Sequence, residues 1–276
     1  METYTTIAYA HARSLTLHYS TSFGMSSRLF AAHIQPHIYA IYGLVRIADE
    51  IVDTYKGADA ALLLNDLETE TYAAIDRSYS TNPIVHAYAL TAKAYDIDQT
   101  IIAPFFASMR MDLDPRVYTD ESYATYIHGS AEVVGLMCLK VFCNGDSTQY
   151  KKLRPGAEAL GAAYQKVNFL RDMRQDYEAL GRVYFPGVDF DSFGESDKQR
   201  IVSDIERDFA KALPAITQLP ASCRAAVETS YLYYSELLQT LKMTSADTIK
   251  HTRIRVPTLR KLQLFARAAI KQRFAQ

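Results

Sequence analysis

Tryptophan is missing from the sequence altogether, and cysteine nearly so, with three among 276 residues. Cys138, Cys143 and Cys223 are too few and too irregularly spaced for a disulfide framework or a zinc site. They read as buried thiols in a reducing compartment. Glycine and proline are sparse, at 11 and 9, and no Pro-rich or Gly/Ser-rich linker divides the chain. One domain spanning residues 1–276 is therefore expected. Charge of one sign is not in excess either. A formal net charge of −1 argues against a nucleic-acid partner bound through bulk electrostatics. The N-terminus, METYTTIAYAHARSLTLHYS, lacks the basic start and continuous apolar run of a signal peptide. No uninterrupted apolar stretch of about 18 residues exists to span a bilayer, because Arg46 and Lys140 break the best candidates. A soluble, cytoplasmic protein is expected, in keeping with peripheral contact to a membrane surface. No Gly-rich phosphate loop or GxGxxG fingerprint is present, so a nucleotide substrate is not expected.

What the chain does have is helical periodicity, nearly throughout, and 49% hydrophobic residues to build a core. The segments QPHIYAIYGLVRIADEIVDTY, PIVHAYALTAKAYDI, IIAPFFASMRMDL and YATYIHGSAEVVGLMCLKVF each read as a helix. Turn-rich pieces such as STNP, DLDP and CNGD separate them. A long helix is expected from about Gly156 to Leu180, stopped by Gly181. GRVYFPGVDFDSFGES is the one long irregular stretch. Helices resume near Ser196 and continue to a last one after Pro257. With no alternating strand pattern and no internal repeat, the fold class is all-α.

Two helices carry acids where a buried helix should not. On the first, Ile41, Leu44, Val45, Ile47, Ala48, Ile51 and Val52 cover most of the circumference. The remaining strip holds Tyr42, Arg46, Asp49, Glu50 and Asp53, joined by steps of three and four residues. A helix apolar around most of its surface is surrounded by other helices, so its polar strip must face a cavity. On the long later helix, Gln165, Asn168, Asp172 and Asp176 fall on one line, flanked by Arg171 and by small or apolar residues. If the two strips face one another, four or more carboxylates share one space, which requires cations. Histidine and cysteine do not accompany them, so zinc is disfavoured. Oxygen-only ligands favour Mg²⁺, with Mn²⁺ as a substitute, and Mg²⁺ characteristically binds a few carboxylates together with substrate phosphates. An apolar, aromatic wall supplied from 20 tyrosines and 12 phenylalanines would complete a site for a prenyl diphosphate. There, metal ions would make diphosphate a leaving group, aromatic faces would support an allylic cation, and exclusion of water would protect it.

At these residues the sequence resembles the squalene and phytoene synthase family, the head-to-head prenyltransferases. YSTSF, from Tyr19 to Phe23, resembles the family's early Ser-x-Ser-Phe segment, here Ser20, Ser22 and Phe23. AIYGLVRIADEIVD resembles its first aspartate-rich motif, with Asp49 and Asp53 at metal-binding positions. YIHGSAEVVGLM resembles the segment that lines the substrate channel through Tyr126, Ala131, Val134 and Gly135. QKVNFLRDMRQDYEALGRVYFP resembles the second motif, Asn-x-x-Arg-Asp-x-x-x-Asp followed by Gly-Arg-x-Tyr-x-Pro, the most specific of the four. Thr21 departs from the pattern, standing where many members carry lysine.

The resemblance implies an α-helical isoprenoid-synthase fold around a central cavity. It also implies condensation of two identical prenyl diphosphates through a cyclopropylcarbinyl diphosphate. Asp49, Asp53, Asp172 and Asp176 are expected to ligate metal, with Asn168 as a further ligand. Arg46 and Arg171 are candidates to clamp diphosphate, since guanidinium matches phosphate geometry, and both also suit ion pairs with the neighbouring acids. Gln165, Arg182, Tyr184 and Arg253 are expected to contact substrate, and Tyr42, Phe23 and Tyr126 to line the channel. GRVYFPG is expected to form a flap over the mouth. The basic run KHTRIRVPTLRKL suits either a solvated face or contact with diphosphate or lipid headgroups. The leading expectation is a phytoene synthase using geranylgeranyl diphosphate, without a nicotinamide cofactor and compatible with contacts to downstream carotenoid enzymes. Farnesyl diphosphate-using relatives that make dehydrosqualene, presqualene diphosphate or squalene are the near alternative. A terpene cyclase shares the spacing of Asn168, Asp172 and Asp176, and a non-catalytic helical scaffold would be expected to lose the acids.

Overall fold

The computed structural model describes residues 2–114, 118–257, 260, 261 and 263. Among them every regular element is helical, as the periodicity predicts. α1 (Glu2–Tyr19) and α2 (Thr21–Ser26) lead through a 3-10 turn at Ser27–Leu29 to α3 (Gln35–Asp49). Pro36 sits in the first turn of α3, where its missing N–H costs nothing. α3 continues into a wide π turn at Glu50–Thr54, closed by the Tyr55 N–H on the Glu50 carbonyl at 2.9 Å. α4 (Ala60–Arg77), α5 (Pro83–Ala94) and α6 (Gln99–Asp112) follow. α7 (Asp120–Ile127) passes through a second π turn, His128–Glu132, into α8 (Val133–Cys143). α9 (Ser147–Leu180), α10 (Glu195–Thr217), α11 (Ala221–Met243) and α12 (Ala246–His251) complete the described helices.

One helix start differs from the sequence expectation, and the difference is a capping effect. α9 begins well before Gly156 because the Asp146 carboxylate accepts the Thr148 and Gln149 N–H groups at 3.0 and 2.9 Å. That cap carries the helix through Pro155. α10 starts at Glu195, with the Gly194 N–H donated to the Asp197 carboxylate. The helix expected after Pro257 lies largely outside the described residues.

α9 is the spine, packed against α10, α8 and the second π turn. Residues Asp120–Cys143 are long and apolar enough to cross a membrane by length and composition, but 61% of that window is buried inside the protein. They serve as a core helix. α8 and α9 approach backbone to backbone: a Cβ on Gly135 would stand 2.9 Å from the Ala157 carbonyl oxygen, and one on Gly161 would stand 2.5 Å from that of Ala131. This close seam forms part of the wall described below. Gly161→Ala should force the two helices apart and cost about 1–3 kcal/mol. A lowered midpoint in thermal denaturation would read this out, and an unchanged midpoint would show that the seam has slack.

Candidate active site

A cavity of about 1160 Å³ opens between α3, α8, α9 and α11. Its wall follows α3 from Ile38 to Asp53 and α9 from Leu153 to Asp176. The end reached by Ile38, Phe142 and Leu153 is apolar, and the other end carries the acids. Glu50 of the first acidic strip does not line this cavity; every other residue expected at the site does, with two exceptions. The side chain of Ser22 lies outside the described residues. Arg182 is the other.

The two acidic strips meet. Asp49 ends α3, and the π turn that follows carries Asp53. By area Asp49 is half-buried, but the surface it keeps faces the cavity. Its carboxyl is pushed up to about 8, first by burial and then by the charge of Asp53, with Arg46 offsetting only part. Asp176 on α9 is pushed up to about 7 by burial and by the charges of Asp172 and Asp53. Asp53 belongs to the first strip and Asp176 to the second, so the strips act on each other across the space.

A fifth acid was not picked out from the sequence. Asp112 ends α6, lines the cavity and is only 7% exposed. It accepts a hydrogen bond from the Tyr126 hydroxyl at 2.8 Å, and burial above all raises it to about 7 despite the Arg182 charge. The available signal was a lone acid closing the apolar run IIAPFFASMRMDL, masked by the turn-like DLDP that overlaps it.

Arg182 corrects an expectation. Gly181 adopts φ 65°, ends α9, and lets the Arg182 N–H turn back to the Asp176 carbonyl at 3.1 Å. The guanidinium is then buried, donating to Asp53 Oδ1 at 2.8 Å, the Tyr184 hydroxyl at 3.1 Å and the Asp112 carbonyl at 2.5 Å. It lies 3.4 Å from the Asp112 carboxylate as well. Arg182 therefore holds the ends of α3 and α6 together and does not line the cavity. Residues 181–194 are likewise no simple flap. Tyr184 is buried, its ring stacked on Phe169 at 3.8 Å and on Tyr126 at 5.3 Å.

The basic segment after α12 is largely exposed, as a solvated face would be, yet several of its charges are engaged. Arg253 pairs with Asp172, Arg260 with Glu236, and Lys261 stands over the Tyr233 ring. Asp172 is also gripped by Arg171. Arg46 pairs with Glu50 and lies over the Tyr19 ring. Its Nε is buried on the cavity wall with no hydrogen-bond partner among the described residues, an orphaned donor suited to an anion. Asn168 accepts from the Tyr234 hydroxyl at 3.3 Å, and Tyr234 stacks on Tyr164 at 4.0 Å. Phe23 and Tyr42 stack at 5.4 Å. Both aromatic pairs line the cavity.

The donor set fits a hard divalent cation: carboxylate oxygens from three helices and an amide oxygen, with neither histidine nor cysteine among them. Among the described residues no three such side chains are gathered into a ready-made metal cage.

Comparison with known proteins identifies a family and a fold. The model of the squalene/phytoene synthase family matches residues 16–260. A 15-cis-phytoene synthase from Synechococcus elongatus is 28% identical, over 92% of this chain and 90% of that protein. A 4,4'-diapophytoene synthase from Staphylococcus haemolyticus is 25% identical, over 72% of this chain and 68% of its own length. The crystal structure of a dehydrosqualene synthase in complex with ligand superposes with a TM-score of 0.81 over 98% of both chains at 19% identity, which shows the same all-α isoprenoid-synthase fold.

The raised carboxyls make a stability prediction for the metal-free protein. Half-buried His37 and buried His86, both shifted downward by burial, act in the opposite sense, but these two do not outweigh the three raised carboxyls. Asp49, Asp112 and Asp176 still hold protons in the native state that the unfolded chain has released. Stability therefore falls as pH rises through about 7 and 8. The thermal midpoint should be lower at pH 8.5 than at pH 6.5, and Asp49→Asn should raise it by a few degrees at the higher pH. A midpoint that climbs between these values would contradict the assignment.

Proposed function

Because the chain belongs to the squalene/phytoene synthase family, and is thereby a prenyltransferase of the head-to-head type, we propose that it is a phytoene synthase. On this reading it joins two geranylgeranyl diphosphates to prephytoene diphosphate and converts that to phytoene. The choice of substrate is supported by a cavity long enough for the longer chain, together with the phytoene synthases among the relatives. Along α9 the cavity wall runs from Asp172 to Leu153, or about 28 Å at 1.5 Å per residue. An extended chain advances about 1.2 Å per bond, so the sixteen-carbon backbone of a C20 prenyl group needs roughly 19 Å and a C15 group roughly 14 Å. The longer chain fits with its diphosphate at the acids. The volume, about 1160 Å³, also exceeds the roughly 300–1,000 Å³ of pockets for one small ligand, as two substrates require.

Asp49, Asp53, Asp172, Asp176 and Asn168 would hold Mg²⁺, which supplies charge neutralisation and a diphosphate leaving group. Arg46 offers its unpaired Nε to a phosphate oxygen, and Gln165 and Ser20 add neutral polar contacts on the same wall. The Phe23–Tyr42 and Tyr164–Tyr234 pairs present ring faces to the carbocation formed when diphosphate leaves. Burial raises Tyr42 to about 12, so it stays a neutral phenol and does not quench that cation as a phenolate. Ala131, Val134 and Gly135 keep the opposite wall smooth and dry. Arg182 and Tyr126 position the acids of α3 and α6.

The test is a product assay. Purified protein given geranylgeranyl diphosphate and Mg²⁺ should form a C40 hydrocarbon, with farnesyl diphosphate a poorer substrate. A C30 hydrocarbon alone would refute the substrate assignment while leaving the family chemistry intact. Asp176→Asn should cut turnover by about 100-fold or more and leave the helical circular dichroism unchanged. Retained turnover would remove Asp176 from the metal site.

A further inference from the structure

The acids of the site are not alike in what they already hold. Among the described residues no hydrogen-bond donor reaches the Asp49 or Asp176 carboxylate. Asp53 receives Arg182 on Oδ1. Asp172 is surrounded. Arg171 donates through Nε to Oδ1 at 2.9 Å and through Nη2 to Oδ2 at 2.5 Å. Arg253 brings Nε to 2.7 Å from Oδ1 and donates through Nη2 to Oδ2 at 3.3 Å. A carboxylate has about four lone-pair positions. Three hydrogen bonds and one further guanidinium contact engage both oxygens, so a cation reaching Asp172 must compete with the two arginines.

We propose that Arg253 is a latch on Asp172, so that this acid becomes a metal ligand only after an incoming diphosphate draws the guanidinium away. The inference rests on the metal–diphosphate reading of the site and adds an order of events to it. Cations alone would use Asp49 and Asp176, together with the Oδ2 of Asp53 that Arg182 leaves free. The diphosphate, with more charge and more acceptor oxygens than one carboxylate, then competes for the arginines. Of the two clasps Arg253 is the one built to let go. Arg171 is fixed on α9 and 18% exposed, whereas Arg253 is 44% exposed and lies in the non-helical stretch after α12. It also stands between two spaces. A side pocket of about 210 Å³ on the outer face of α9 shares Arg171, Asp172 and Arg253 with the main cavity. The released side chain thus has room on either side. The arrangement keeps Asp172 paired while the site is empty, and delays assembly of the complete metal cluster until substrate is present.

Mn²⁺ binding to the full-length protein, measured by equilibrium dialysis with and without inorganic diphosphate, tests this without turnover. Asp172→Asn should leave Mn²⁺ affinity within about twofold of wild type when metal is added alone, and weaken it at least tenfold when diphosphate is present. Arg253→Ala should tighten binding of Mn²⁺ alone at least fivefold, and the gain should vanish in the Arg253→Ala/Asp172→Asn double variant. If Asp172→Asn weakens Mn²⁺ alone by fivefold or more, or Arg253→Ala brings no gain, the latch is overturned and the site reading survives. If wild type takes up no Mn²⁺ even with diphosphate, the metal–diphosphate reading itself fails, and the latch with it.

Discussion

The structure is organised around mutual repulsion among carboxylates that share one enclosed space. At an effective dielectric near 20, two charges about 5.5 Å apart repel by roughly 3 kcal/mol. Asp49, Asp53, Asp112, Asp172 and Asp176 all line the same cavity. The molecule answers this in different ways at different positions. Asp172 is neutralised by two arginines, and Asp53 and Asp112 share Arg182. Asp49 and Asp176 are left to hold protons, as their upward shifts record. On the proposed reading each answer stands in for a divalent cation. A chain that arranges its acids this way gives up stability in the empty state and would recover it on binding metal and diphosphate.

Holding the acids in place is mostly a matter of helix ends. The first strip is split by a π turn after α3, and wide turns of this kind often mark functional positions. Asp112 closes α6, and the Gly181 cap on α9 turns the chain so that Arg182 reaches back to both. One buried guanidinium therefore ties three helix termini at the acidic mouth. At the apolar end, by contrast, the wall is ordinary side-chain packing, and the close glycine seam between α8 and α9 lets backbone stand where side chains would narrow the channel. Rigid charge placement at one end and a long, smooth arm at the other are what a diphosphate ester of a prenyl chain demands.

Much of this was legible in the sequence, because both acidic strips lie on strongly periodic helices and point where the periodicity says. Asp49, Asp172 and their neighbours reach the cavity as the three- and four-residue steps predict. What failed was information carried by the ends of elements. Asp112 was hidden because DLDP reads as a turn, and a terminal residue has no periodicity to reveal its direction. Arg182 was expected at phosphate because its motif pairs it with the acids. Its burial depends on the left-handed Gly181 and on Asp112, 70 residues away in the chain. The grip of Arg253 on Asp172 joins segments 81 residues apart, and no local pattern announces it. α9 starts earlier than expected because Asp146 caps it, and the helix runs through Pro155.

The central claim is that both acidic strips hold divalent ions around one diphosphate. Anomalous diffraction from crystals soaked with Mn²⁺ and inorganic diphosphate addresses it directly. The account predicts manganese peaks between the strips, within coordination distance of Asp49 or Asp53 on one side and Asp172 or Asp176 on the other, bridged by diphosphate oxygens. Manganese confined to the outer surface, or diphosphate bound away from these carboxylates, would contradict it.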